Sequence, residues 1–149
     1  MALIHRILVP TDFSDGARHA LDYAVEQARA FAASLVLAHA HTPPMIYAPE
    51  GVMLTPLWDE PELRAQLADS LAKLAAEVRE RGIAEVSTQL LDGTPWQEIV
   101  RAAAEDKCDL IVMGTHGRGG LKHLFLGSVA ERVVRKAPCP VLTVGARVP

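Results

Sequence analysis

The sequence predicts an α/β fold, with one open, parallel, five-stranded sheet carrying helices on both faces. Three observations lead there. Short aliphatic runs recur along the 149 residues, and runs of that kind read as strands buried on both faces. Helix-length segments with apolar residues three and four apart lie between them. Strand and helix alternate, which implies parallel pairing through right-handed crossovers. With no internal repeat and no break in composition, residues 1–149 are expected to form one domain.

Each element follows from its own residues. Leu3 to Val9 and Leu35 to Ala40 are aliphatic strand-like runs. Between them Ala17, Leu21, Ala24, Val25, Ala28 and Phe31 form one apolar helical stripe, with Ser14 and Asp15 as candidate caps. The segment His41 to Asp59 holds Pro43, Pro44, Pro49, Gly51 and Pro56, and is expected to be a long surface loop without regular structure. Leu63, Leu67, Leu71, Leu74 and Val78 repeat a helical stripe from Pro61 to Arg81, stopped by Gly82. A third strand is expected over Ala84 to Leu91. Thr94-Pro95-Trp96-Gln97 has the form of a capping box opening a helix that presents Trp96, Ile99, Val100 and Ala103. Asp109 to Met113 is a buried strand ending on Gly114. Ser128-Val129-Ala130-Glu131 has the form of a second capping box, and its helix carries Val129, Val133, Val134 and Ala137. Pro138 and Pro140 end that helix, and Val141 to Val144 supplies the last strand.

Composition narrows the function classes. A net charge of −3 lacks the basic surplus of phosphate-backbone binders, so no nucleic-acid partner is expected. The two cysteines, Cys108 and Cys139, match neither a disulfide framework nor a metal spacing, which suits reduced thiols in a cytoplasmic protein. No signal-peptide pattern opens the chain, and no apolar run approaches the length of a membrane helix, so no membrane partner is expected.

In an open parallel sheet ligands sit beyond the carboxyl ends of the strands, where the winding direction reverses. Two stretches fall there. Pro10-Thr11-Asp12-Phe13-Ser14 follows the first strand, and Gly114-Thr115-His116-Gly117-Arg118-Gly119-Gly120-Leu121 follows the fourth. The second continues to Gly127-Ser128, giving glycine, two residues, glycine, nine residues, Gly-Ser. Glycines there turn the backbone through positive φ and let amides approach phosphate without a Cβ in the way. A helix then starts at Ser128, and its free amides and positive dipole end favour an anion. Arg118, Lys122 and His123 add positive charge. These are the parts of a polyphosphate site. The string is neither a Walker loop nor a dinucleotide fingerprint.

Other residues have plainer readings. Asp12 serves either a ligand or its own turn. His39 and His41 share a strand face but have no third ligand at metal spacing, so no metal site is assigned. Trp58 and Trp96 read as packing residues, and Arg132, Arg135 and Lys136 as a solvated helix end.

The stretches HRILVPTDFSDGARHALDYAVEQARA, SLVLAHAH and DLIVMGTHGRGGLKHLFLGSVAERVVRKAPCPVLTV together resemble the universal stress protein family, in its ATP-binding branch. The resemblance spans essentially the whole chain, and Gly114, Gly117, Gly127 and Ser128 match the family's Gly-x2-Gly-x9-Gly-Ser spacing without gaps. It implies a Rossmann-like sheet of order 3-2-1-4-5, with an adenine nucleotide, ATP with or without Mg2+, between strands one and four. Pro10, Thr11 and Asp12 would then contact base and ribose, and backbone near His39 or Ala40 would flank the adenine. Met113, Gly114, His116, Gly117, Arg118 and Gly119 would line the loop side. Gly127, Ser128 and Val129 would hold ribose and phosphates. The resemblance further implies a regulatory homodimer of the stress response, paired through the edge strand Val141 to Val144.

A slow ATPase or a nucleotidyl-transfer enzyme of similar fold is the rival reading. The transferase would need a Ser-Gly-Gly-x-Asp-Ser loop or a His-Ile-Gly-His string, and neither occurs. A phosphoacceptor receiver would need paired acidic residues beside the first strand, where only Asp12 stands. No catalytic residue is assigned, and His116 is the one candidate for positioning an attacking water.

Overall fold

The computed structural model describes residues 3–42, 46–47, 49, 51, 53–54, 60–116 and 126–146. In chain order the elements are β1 (Arg6–Pro10), α1 (Asp15–Phe31), β2 (Ser34–His41), β3 (Ile46–Tyr47), β4 (Met53–Leu54) and α2 (Glu60–Glu80). They continue with β5 (Val86–Asp92), α3 (Pro95–Glu105), β6 (Leu110–Gly114), α4 (Ser128–Lys136) and β7 (Val141–Val144).

Five strands form one parallel sheet in the order β5-β2-β1-β6-β7, which is the expected 3-2-1-4-5 once the small β3–β4 pair is set aside. Alternate residues of each central strand face opposite layers. Ile7, Val9, Leu35, Leu37 and Val112 join the core beneath α1 and α2. Leu8, Val36, Ile111 and Met113 join the core beneath α3 and α4. Burial on both faces is why these strands read as continuous aliphatic runs. The chain winds outward from β1 through β2 to β5, then returns to β6 on the other side, so the winding reverses between β1 and β6.

Several local expectations change. The segment from His41 to Asp59 is not wholly irregular: His41 closes β2, and β3 pairs antiparallel with β4, Ile46 opposite Leu54 and Tyr47 opposite Met53. Gly51, at φ 76°, lies in the reversal between those strands, where its positive φ suits a tight turn. Residues 43–45 and 55–59, including Trp58, lie outside the described residues.

The α2 stripe buries Leu71, Leu74 and Val78, whereas Leu63 is 40% exposed and Leu67 half-buried. At 21 residues α2 is roughly 31 Å long and the seven residues of β5 reach about 23 Å, so the first turns of the helix overhang the sheet. The α1 stripe likewise ends before Phe31, which sits at the helix terminus and is partly exposed. At the start of the chain Leu3 stands outside β1 and is 86% exposed.

Helix starts also differ from their sequence signatures. Ser14 caps α1 as expected, its Oγ accepting from the Ala17 amide at 3.2 Å. Thr94 is the N-cap of α3, with Pro95 at the first helical position, but its side chain makes no cap hydrogen bond. The N-cap of α4 is Gly127 and not Ser128. That one-residue shift leaves Glu131 a position too late for a capping box, and its carboxylate pairs instead with Arg135 at 2.6 Å.

Candidate functional site

Where the winding reverses, a cleft of about 390 Å3 opens beyond the carboxyl ends of β1, β2 and β6. Ligand clefts usually enclose about 300–1,000 Å3.

The β1 wall is built by short local bonds. The Thr11 amide donates to the Ala38 carbonyl at 2.8 Å, continuing the β1–β2 ladder past Pro10. Thr11 Oγ1 accepts from the Phe13 amide, and Asp12 Oδ1 accepts from the Ser14 amide, each at 3.0 Å. Asp12 thus does serve its own turn, as Asp commonly does, while also lining the cleft. This turn puts Phe13 at φ 63°, uncommon for a side chain of that size.

The β6 wall is a seam of close backbone contacts. A Cβ on Gly114 would lie 3.2 Å from the Gly16 carbonyl oxygen, and one on Gly16 would lie 3.2 Å from that of His116. A Cβ on Gly127 would come within 2.8 Å of the Thr115 carbonyl oxygen, the same atom that accepts from the Gly127 amide at 2.6 Å. Thr115 in turn donates its amide to Val144 at 3.0 Å, which ties the seam to β7. The sequence expectation of positive φ at these glycines is corrected: Gly127 has φ −69°, and neither Gly114 nor Gly127 is among the left-handed residues. Glycine is needed there because backbone meets backbone.

The Gly127–Thr115 bond draws together the two ends of the glycine loop and delivers the start of α4 to the cleft. Glu131 makes the first bond of the helix ladder, donating to Gly127 at 2.9 Å. The Ser128, Val129 and Ala130 amides precede it, as the first amides of a helix do, and these residues line the cleft. Gly127 has no side chain with which to cap them, so the dipole and these donors are left for a ligand.

Every site residue expected from sequence that falls among the described residues lines this cleft: Pro10, Thr11, Asp12 and Ala40 on one side, and Met113, Gly114, His116, Gly127, Ser128 and Val129 on the other. Gly117, Arg118 and Gly119 lie outside the described residues, as do Lys122 and His123. The sequence reading did not assign Ala38, Pro95 or Ile99 to the site, yet all three line it. Pro95 and Ile99 come from the start of α3, and the available signal was the position of that helix start just beyond a strand's carboxyl end.

The histidines take different places. His39 lines the cleft, with Nδ1 2.8 Å from the Thr11 carbonyl oxygen. His116 Nδ1 is 3.0 Å from Thr115 Oγ1, while its Nε2 is enclosed with no hydrogen-bond partner among the described residues. His41 is buried. Among the described residues no group of three or more His, Cys, Asp or Glu side chains is placed to hold a metal ion. The Arg132 guanidinium lies 5.9 Å from the centre of the Trp96 ring, so that end of α4 packs on α3 as well as meeting solvent.

The cysteines belong to the opposite, amino end of the sheet. Burial pushes the Cys108 thiol up to about 12, and burial followed by the nearby Asp109 carboxylate raises that of Cys139. Both are free thiols.

Residues 3–145 match the Universal stress protein family. The chain belongs to that family. Among its relatives, a universal stress protein of Methanocaldococcus jannaschii is 38% identical over 145 residues, covering 95% of this chain and 82% of the relative. One of Thermus aquaticus is 39% identical over 138 residues, covering 93% and 96%. Among solved family members, one from Lactobacillus plantarum superposes with a TM-score of 0.81 at 28% identity over 95% of this chain and 97% of that one. A family member in complex with cAMP gives 0.72 at 26% identity, covering 97% and 98%. Another from Archaeoglobus fulgidus, in complex with dAMP, gives 0.65 at 26% identity, covering 96% and 98%. No helix among the described residues of this family member is long and apolar enough to cross a membrane.

Proposed function

We propose that this chain is a nucleotide-binding regulatory module of the stress response, in the ATP-binding branch of its family, and that ATP occupies the cleft. The observation that carries the reading is the uncapped start of α4, held at the cleft by the Gly127–Thr115 bond. Three backbone donors and a positive dipole end converge there on a space fit for phosphate, and the apolar Ala38, Ala40, Ile99 and Met113 offer a slot for a base on the same wall system. The cAMP and dAMP complexes of two relatives support an adenine nucleotide as the ligand class. Ser128, freed from capping, would hold phosphate or its Mg2+.

The nucleotide acts as a ligand and not as fuel. Efficient phosphoryl transfer needs a group that positions the attacking water. His116 was the candidate, but its Nδ1 meets Thr115 Oγ1 and its Nε2 is enclosed, so neither nitrogen is presented to a water in the cleft. Self-association through β7 belongs to the same reading: β7 is the last strand of the sheet order, and an edge strand offers unpaired backbone groups to a second copy.

The test is a thermal-unfolding titration with ATP. A ligand that binds only the folded state at a hundred times its Kd stabilises by about 2.7 kcal/mol, which raises the melting temperature by several degrees. An unshifted transition at millimolar ATP would refute the proposal.

A further inference from the structure

We propose that Cys108 and Cys139 are the two halves of a reversible disulfide that staples the entry of β6 to the entry of β7. The inference is independent of the nucleotide reading and concerns the amino end of the sheet.

Spacing in the sequence gives no hint of the pair, and the sheet brings it together. β6 and β7 run parallel with Ile111 opposite Val141, and the Ile111 amide donates to the Pro140 carbonyl at 3.0 Å. Carried back two residues, that register sets Asp109 beside Cys139, with Cys108 next in the chain. Neighbouring strands about 4.8 Å apart and a rise of about 3.3 Å per residue put the two Cα atoms roughly 6 Å apart, inside the window that a disulfide spans.

Both side chains also reach the same core. Cys108 is buried in the layer beneath α3 and α4, and the partly buried Cys139 packs against that layer. Strand alternation alone would turn the two to opposite faces. The tight turn after α3, with Lys107 at φ 52° and the Cys108 amide donating to the Ala103 carbonyl at 2.9 Å, brings Cys108 to this one. The flanks are pinned as well, the Asp109 amide to the Arg6 carbonyl and the Ala137 amide to the Val133 carbonyl, each at 2.8 Å. Burial first, then the charges of Asp106, Cys139 and Asp109 against that of Arg6, hold the Cys108 thiol neutral, so Cys139 lies within its electrostatic reach.

The half-buried Cys139 is the entry point, and the oxidant is a small disulfide such as oxidised glutathione. Cys139 loses its proton to water, its sulfur attacks one glutathione sulfur, and the other leaves as a thiolate. Cys108 then loses its proton and attacks the Cys139 sulfur, releasing the second glutathione. The cysteine pair gives up two electrons, and one small disulfide becomes two thiols. Because both protein thiols are held neutral, these steps are slow near neutral pH. For the same reason the reduced pair gains nothing from ionisation, and the bond once made persists until a dithiol reductant opens it. It closes a loop of about 30 residues that contains β6, the glycine loop and α4, and so restricts the unfolded chain.

The experiment incubates the folded full chain with millimolar oxidised glutathione at pH 8 and digests it with trypsin without reduction. The expected product is the peptide Cys108 to Arg118 linked to the peptide Ala137 to Arg147, with no glutathione retained. The oxidised protein should melt several degrees above the reduced one, and dithiothreitol should reverse both results. Cys108→Ala should accumulate glutathione on Cys139, since no second thiol displaces it, and Cys139→Ala should leave Cys108 unmodified while folded. The peptide map of the parent needs no variant. Two free thiols after oxidation, glutathione retained on the parent, or a link between two copies overturns the pair. A linked pair with no rise in melting temperature overturns the staple.

Discussion

The two ends of the sheet solve the same problem, unpaired backbone at strand termini, in opposite ways. At the amino end the protein closes its own bonds. Asp109 accepts from the His5 and Arg6 amides at 2.8 and 3.0 Å, Arg6 reaches the Asp106 carbonyl at 3.2 Å, and Cys108 is buried with its thiol held neutral. At the carboxyl end the turns close on themselves but the start of α4 stays uncapped, with its first amides beside an open cleft. Side-chain acceptors close the backbone at one end and leave helix-start amides uncapped at the other. Changes at the amino end should therefore alter unfolding without touching nucleotide affinity, whereas changes at the start of α4 should alter nucleotide affinity.

The largest effect is expected from Gly127→Val. Its side chain would collide with the Thr115 carbonyl oxygen, already 2.8 Å from a bare Cβ, and force apart the bond that brings α4 to the cleft. The ATP-induced rise in melting temperature, worth about 2.7 kcal/mol near saturation, should vanish. The unliganded protein should lose about 1–3 kcal/mol, as over-packed sites do. Differential scanning fluorimetry with and without ATP checks both.

Asp109→Ala tests the other end. Two amides lose a charged acceptor that joins positions more than a hundred residues apart, and because the site is exposed water replaces part of the loss. A cost of about 1–2 kcal/mol in urea unfolding is expected, with ATP affinity unchanged. A changed affinity would break the separation of the two ends.

A pair of serines sharpens the comparison within the carboxyl end. Ser14→Ala removes a cap bond and should cost about 1 kcal/mol of stability. Ser128→Ala should cost almost none, because Gly127 and not Ser128 is the N-cap, yet it should weaken ATP binding. Urea unfolding and calorimetric titration of both variants separate these roles.

The smallest effect at ordinary pH concerns Cys108. Its thiol is raised from 9.0 to about 12 in the folded protein. The unfolded chain therefore gives up this proton first, and folding is undisturbed below pH 9. As the pH climbs from 9 toward 12 the unfolded state binds fewer protons than the native one, and stability falls. Cys108→Ala should blunt that alkaline loss, measured as the change in urea midpoint between pH 8 and pH 10.5.

What could be read from the sequence follows the same division. The strands and helices were legible because burial on two faces or one leaves a period in the sequence, as in Leu8, Val9 and the Ala17–Ala28 stripe. Helix ends were less so. Ser128 and Glu131 carry the letters of a capping box, but the start of α4 is set by the Gly127–Thr115 contact along the β6 wall, a tertiary constraint that local spacing does not record. The β3–β4 pair was hidden by the prolines around it. At Gly114 and Gly127 positive φ was expected, yet the structure needs glycine there for close backbone approach, and the two demands look alike in sequence. Pro95 and Ile99 were missed because they are brought to the cleft only by the packing of α3. His39 was seen as a strand-end residue, and its contact with the Thr11 carbonyl emerged only in the fold.

The most direct measurement of the two-ended account is an amide chemical-shift titration of the labelled protein with Mg2+ and ATP. The account predicts the largest shifts at Thr11, Asp12, Ala40, Gly114 and the Ser128–Ala130 amides, and shifts near zero at His5, Arg6, Cys108 and Asp109. Shifts concentrated at the amino end, or none at the start of α4 under saturating ATP, would contradict it.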